Sequence, residues 1–193
     1  MRISHKHKFV FIAVMKTGST SVRNTLNDYS DIISNSDKNS PYTHHTNVRK
    51  LEKHFDEKNW NWDDYFKFSF VRNPWDRTIS VYKYLLKLKN KSWVREYLKE
   101  TGSFSEYVKH GRYYPSQADQ LNNISDFYIG KFENLQEDFN IVCDKIGITK
   151  QQLPHKNPTK HKHYTEYYDD ETKSIIAEKY AKDIEYFGYE FGE

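Results

Sequence analysis

The stretch from Lys8 to Leu26 constrains this chain more than any other. Phe9 to Val14 is an unbroken apolar run of strand length, rich in Val, Ile and Phe. A short polar loop follows, Lys16 to Ser21, with Gly18 inside it. Val22 and Leu26 then stand four residues apart, the spacing of the inner face of a helix. A buried strand, a tight glycine turn and a helix start bring free backbone N–H groups and the positive end of the helix dipole to one spot. Lys16 and the hydroxyls of Thr17, Ser19, Thr20 and Ser21 add donors there. The segment reads as a cradle for a phosphate or sulfate group. It is not a Walker A box, because Lys16 precedes Gly18 and no glycine lies upstream. Such a stretch alone also fits an ordinary strand-to-helix turn, so the ligand reading needs a second element.

Tyr65 to Val71 supplies it, as a second apolar strand that stops at Arg72. Asn73 suits the N-cap of a following helix, Pro74 its first position, and Asp76 its first turn, where a negative charge meets the dipole. Ile79, Tyr82 and Leu86 fall on one face of that helix. Two strand-turn-helix units predict an α/β fold with a short central parallel sheet flanked by helices. A third short strand is expected at 126–130. A helix is expected from Phe132 to a C-cap at Gly147, with Leu135, Phe139, Val142 and Ile146 inward.

Between these elements, 28–40 reads as a loop. Thr43 or Thr46 is expected to cap a helix that turns Val48, Leu51 and Phe55 inward. Residues 90–115 read as charged amphipathic helix, and 169–186 as a final helix. Leu153 to Tyr168 is a basic, proline-broken loop with Lys156, Lys160, Lys162, His155, His161 and His163. Without an acidic cluster or a fixed helical histidine pair it reads as solvated or phosphate-facing, and no metal site is expected.

Composition sets outer bounds. The 193 residues are expected to form one domain, 1–193. Hydrophobic content is 36% and mean hydropathy is -0.98, but 16 Tyr and 12 Phe supply an aromatic core and argue against disorder. The net charge of +3, from 30 basic and 27 acidic residues, is too small to imply a nucleic-acid partner. Cys143 is the single cysteine, which excludes an intramolecular disulfide and a cysteine zinc site; a core thiol is expected. No apolar stretch has transmembrane length and no signal-peptide pattern is present, so a cytoplasmic protein without a membrane span is expected.

The residues Val14 to Val22, together with Phe68 to Tyr82, resemble sulfotransferases that use 3'-phosphoadenosine 5'-phosphosulfate (PAPS). Within these they look like the carbohydrate branch that includes heparan sulfate 2-O-sulfotransferases and their soluble bacterial relatives. Ile129 to Leu135 and Tyr180 to Phe191 are similar to the same family, so the likeness runs in order along nearly the whole chain. The resemblance implies a P-loop-like, three-layer fold. It implies that Lys16, Thr17, Gly18, Ser19, Thr20 and Ser21 hold the 5'-phosphosulfate, and that Arg72 and Ser80 hold the 3'-phosphate. Arg72 at a strand end suits this, since a guanidinium can fork onto a phosphate; its alternative is an ion pair with Asp76. Lys160 in the basic loop is a further candidate contact. No metal is required.

In-line sulfuryl transfer needs positioning and charge stabilisation on the leaving oxygen, a task for Lys16, and a base for the acceptor hydroxyl. The resemblance points to His44 as that base, with His45 a close rival. The acceptor is expected to be a carbohydrate or another hydroxyl compound, and the sequence names neither it nor an oligomeric state. Two other readings are an ATP-dependent P-loop-type kinase and a non-enzymatic module that binds polyanions.

Overall fold

The structure, a computed structural model, describes residues 1–34, 42–88, 90–111, 113–121, 124–154 and 162–193. Among the described residues, five strands form one sheet: β1 (Arg2–Ser4), β2 (Phe9–Ile12), β3 (Ile32–Ile33), β4 (Phe66–Val71) and β5 (Phe127–Lys131). Their order is β3-β1-β2-β4-β5. β2, β4 and β5 run parallel, with Phe11 opposite Phe68 and Phe68 opposite Tyr128. This is the expected parallel centre. Because β2 and β4 are parallel neighbours, the chain leaves both at the same end of the sheet.

Two further strands join antiparallel, β1 beside β2 and β3 beside β1. β3 lies in the 28–40 stretch expected to be a loop, and β1 precedes the first expected strand; Arg2 and Ser4 are polar and β3 has only two residues. Arg2 is nevertheless buried. Its Nε donates to Arg23 O and Asn27 Oδ1, and its Nη1 to Met1 O and Ser34 Oγ. A buried guanidinium is tolerated when its donors are met in this way.

The helices among the described residues are α1 (Ser19–Thr25), α2 (Val48–Glu57), α3 (Pro74–Lys87), α4 (Ser92–Thr101), α5 (Phe104–His110), α6 (Gln117–Leu121), α7 (Leu135–Ile146), α8 (Asp170–Lys179) and α9 (Ala181–Phe187). The chain divides into two compact units, Met1–Val71 with Gln117–Lys156, and Arg72–Ser116 with Asn157–Glu193.

In the first unit, strand alternation puts Phe9, Phe11, Phe68 and Phe70 on one face of the sheet. Val22 and Leu26 from the α1 segment, and Phe139, Val142, Cys143 and Ile146 from α7, cover that face. Phe11 stacks on Phe68 with ring centroids 5.1 Å apart. Each such side chain contributes about 1.5–3 kcal/mol by leaving water. Burial pushes the Cys143 thiol up from its ordinary pKa, as for a core thiol. α7 ends at Gly147 in left-handed backbone, as expected. α2 buries Val48, Leu51 and Phe55, but its N-cap is Asn47, whose side chain accepts from Arg49 N. Thr43 and Thr46 bond each other through their hydroxyls and so leave the cap to Asn47.

The second unit packs Trp75, Ile79, Tyr82 and Leu85 of α3 with Phe104, Tyr107 and Val108 of α5, and with Tyr164, Ile176 and Tyr180. The 90–115 segment breaks at Gly102, and Ser103 caps α5 by accepting from Glu106 N. The expected last helix also breaks, at Tyr180, which leaves helical geometry while its hydroxyl donates to Tyr114 O. No glycine or proline marks that break.

Candidate active site

The loop after β2 is shaped by its backbone. Lys16 has φ +68° and Gly18 φ +72°, both in the left-handed region. Gly18 is the N-cap residue of α1 and offers no side-chain cap. Glycine adopts that backbone without strain, and a Cβ on Gly18 would stand 2.6 Å from Leu135 Cδ2 and 3.2 Å from Phe132 Cδ2, so a substitution would also have to displace the end of the Leu135 side chain. Lys16 has no such exemption. Left-handed backbone costs an L-residue about 1–2 kcal/mol, and outliers of this kind gather at functional sites.

The hydroxyls of the loop divide into two groups. Thr17, fully buried, donates through Oγ1 to Val14 O at 3.1 Å and closes the turn. Ser21 Oγ donates to Pro154 O at 2.7 Å. Those two protons shape the loop. Thr20 Oγ1 accepts from Arg23 Nη2, and Ser19 O accepts from Arg23 Nε. Ser19 itself is buried at the first position of α1.

The two histidines lie in different networks. His45 Nδ1 is 2.8 Å from Ala13 O, one residue beyond β2. A carbonyl only accepts, so Nδ1 carries the proton, and the neutral ring has its lone pair at Nε2. Burial lowers the His45 pKa below its ordinary value of 6.5; the Ala13 bond opposes this, while Arg23, the chain's amino group and His44 add to it. His44 Nδ1 instead shares a 2.8 Å bond with Ser34 Oγ, which also accepts from Arg2 Nη1. The backbone oxygen of His44 accepts from the Met1 amino group. Burial, Arg23, the amino group and Arg2 hold its pKa down as well. Sequence reasoning missed Gln120 of α6, whose Nε2 donates to the same Ala13 O at 3.2 Å. A glutamine in a short helix carries no motif that would reveal this.

In the second unit, Asn73 caps α3 by accepting from Trp75 N and Asp76 N, and Pro74 takes the first position, as expected. The Asn73 amide also donates to Tyr164 Oη and Glu190 O. Arg72 directs Nε and Nη2 onto Asp76 Oδ2, each at 2.8 Å. That is the ion pair weighed as the alternative to a phosphate contact, and it is buried, with both side chains at most 15% exposed. Ser80 is buried in α3. Lys160 lies outside the described residues, as do His155, Lys156, Thr159 and His161. Lys162 pairs with Glu166, and His163 Nδ1 bonds Thr165 Oγ1. Among the described residues, no helix is long and apolar enough to cross a membrane.

Compared with protein families, residues 1–190 match the sulfotransferase family. The chain belongs to that family, whose chemistry is sulfuryl transfer. An uncharacterized protein of Archaeoglobus fulgidus is 37% identical over 95 residues, which cover 46% of this chain and 73% of the relative. Two solved structures are similar at lower identity. A sulfotransferase from Alicyclobacillus acidocaldarius is 15% identical, with 92% of each chain covered and a TM-score of 0.47. A mouse sulfotransferase in complex with PAP is 11% identical, with 94% of this chain and 86% of that one covered and a TM-score of 0.48.

Proposed function

We propose that the protein moves a sulfuryl group from PAPS to a hydroxyl of a carbohydrate-type acceptor, with His45 as the general base. The observation that carries this reading is the 2.8 Å bond from His45 Nδ1 to Ala13 O, at the mouth of the loop that bears Lys16 and Gly18. The donor set of that loop fits an anionic group: a cationic Lys16 in left-handed backbone, and a helix start left without a side-chain cap. When bound, PAPS supplies the sulfuryl group and a phosphate leaving group.

The chain's own residues then have separate tasks. The Lys16 ammonium holds the leaving phosphate oxygens, whose charge grows as the bond breaks. His45 Nε2 accepts the proton of the acceptor hydroxyl. Thr17, Gly18 and Ser21 set the loop's shape, and Ser19 and Thr20 sit at its helix start. Arg72 and Ser80 take the 3'-phosphate, with Arg72 held ready by Asp76. Lys160 remains part of the proposal as a phosphate contact from the basic loop. The likeness of Phe68 to Tyr82 to carbohydrate sulfotransferases supports the acceptor class.

The test has two arms. Calorimetry should show PAP, the desulfated product 3',5'-adenosine bisphosphate, binding far more tightly than adenosine monophosphate; equal affinities overturn the 3'-phosphate assignment. Sulfate transfer from labelled PAPS to a panel of hydroxylated acceptors should label sugars. Label appearing only on non-sugar hydroxyls overturns the acceptor class.

A further inference from the structure

Two side-chain donors converge on one backbone oxygen of the first unit. Ala13 O accepts from His45 Nδ1 at 2.8 Å and from Gln120 Nε2 at 3.2 Å. The donors come from separate segments, the stretch just before α2 and the helix α6. The parallel register of β2 with β4 ends at Ile12, opposite Ser69, and Ser69 Oγ donates to Ile12 O. Ala13 therefore lies between the last laddered residue and a turn that goes left-handed at Lys16 and Gly18. The parallel ladder does not orient its carbonyl, and an sp² oxygen has lone pairs for two donors.

We propose that Gln120 is a positioning residue for the base: it pins the Ala13 carbonyl, and that carbonyl holds His45 in the tautomer with its proton on Nδ1. The catalytic half of this inference rests on His45 being the base, whereas the tautomer half stands without it. A neutral amide suits the role. It donates to the carbonyl without placing a charge beside the imidazole, and the ring tautomer is set by the bond the Nδ1 side makes. The groups acting on His45 are the Arg23 guanidinium of α1 and two titratable groups, the Met1 amino group ahead of β1, whose own pKa burial lowers to about 4, and His44, whose pKa is also lowered. α6 adds Asp119, which is exposed. A carboxylate at position 120 would therefore be a new negative charge close to the ring.

The experiment reads the ring nitrogens directly. In protein labelled with ¹⁵N-histidine, His45 at alkaline pH should show a protonated Nδ1 and a bare Nε2. In Gln120→Ala that pattern should change to a mixture or to the opposite tautomer. Its kcat should fall by roughly tenfold, short of the full loss of a general base, with PAP affinity unchanged. Gln120→Glu loses the donor and adds charge, so it should move the acid limb of the pH–rate profile up by about one unit. A folded Gln120→Ala with the wild-type nitrogen pattern overturns the clamp. If that variant does not fold, a Gln120→Glu protein with an unmoved acid limb and an unchanged nitrogen pattern overturns it instead. A changed tautomer with unchanged kcat keeps the clamp but removes His45 from catalysis, so the failures of the two readings are distinguishable.

Discussion

The turn after β2 goes through left-handed backbone at Lys16 and Gly18 and opens a seven-residue helix that no side chain caps. The turn after β4 stays out of that region and opens a fourteen-residue helix capped by Asn73, with Pro74 at its start and Asp76 in its first turn. In the sequence the two look like copies of one unit. In the first, a Cβ at Gly18 would meet side chains far along the chain, Leu135 Cδ2 at 2.6 Å and Phe132 Cδ2 at 3.2 Å. In the second, Asn73 caps the helix from within the turn, and its amide also reaches Tyr164 Oη and Glu190 O. In the first turn the N-cap residue is Gly18, which brings no side chain to the helix start. In the second, Asn73 caps the helix start by accepting from Trp75 N and Asp76 N.

The largest expected effect separates chemistry from binding. His45→Ala should lower turnover by roughly 10²–10⁴-fold and leave PAP affinity unchanged in calorimetry, because a general base touches the acceptor and not the nucleotide. His44→Ala, which disturbs the Ser34 and Arg2 network, should cost far less turnover; the reverse ranking would return the base to His44. The pH profile gives the same assignment a sign. Burial lowers the His45 pKa from its ordinary value of 6.5, so the ring stays neutral to lower pH than a free imidazole. With His45 as the proposed base, the rate should be flat at alkaline pH and fall on an acid limb below 6.5. For the same reason His45's contribution to folding stability is whole above 6.5 and declines as the pH drops through the lowered folded pKa.

Next in size is Arg72→Ala. It should weaken PAP by about 1.5–3 kcal/mol, the usual worth of a charge-assisted hydrogen bond, and leave adenosine monophosphate nearly unaffected. Equal losses for both nucleotides would mean that Arg72 serves only Asp76. Gly18→Ala should then cost about 2 kcal/mol of folding stability by denaturant titration, from the left-handed backbone and the displaced Leu135. Asn73→Ala, the matching change in the other turn, should cost about 1 kcal/mol for the lost cap, with some addition from its bonds to Tyr164 and Glu190. If the two losses came out in the opposite order, the contrast between a tertiary and a local turn would fail.

The smallest effect is the most specific. Lys16→Gly and Lys16→Ala both remove the ammonium and should reduce turnover alike, more than they reduce PAP affinity. Glycine accepts φ +68° and alanine does not, so Lys16→Gly should be more stable by about 1 kcal/mol. Equal stabilities would mean the loop relaxes out of the left-handed region once the lysine is gone.

What was legible in the sequence was local. The runs at Phe9 and Tyr65 are apolar enough to be buried wherever they go, and they became β2 and β4. Asn73, Pro74 and Asp76 mark a helix start because each acts within one turn of chain. Leu135, Phe139, Val142 and Ile146 show one helical face by spacing alone. Tertiary structure decided the rest. β1 is short and partly polar and β3 has only two residues, so neither stands out; β1 pairs with the edge of β2, and β3 with β1. Which histidine meets the strand end was decided across 32 residues, and Gln120 reaches the same carbonyl across 107. Spacing encodes periodicity and caps, since these are set by bonds between near neighbours. It does not encode which of two adjacent rings will find a carbonyl that only folding brings to it.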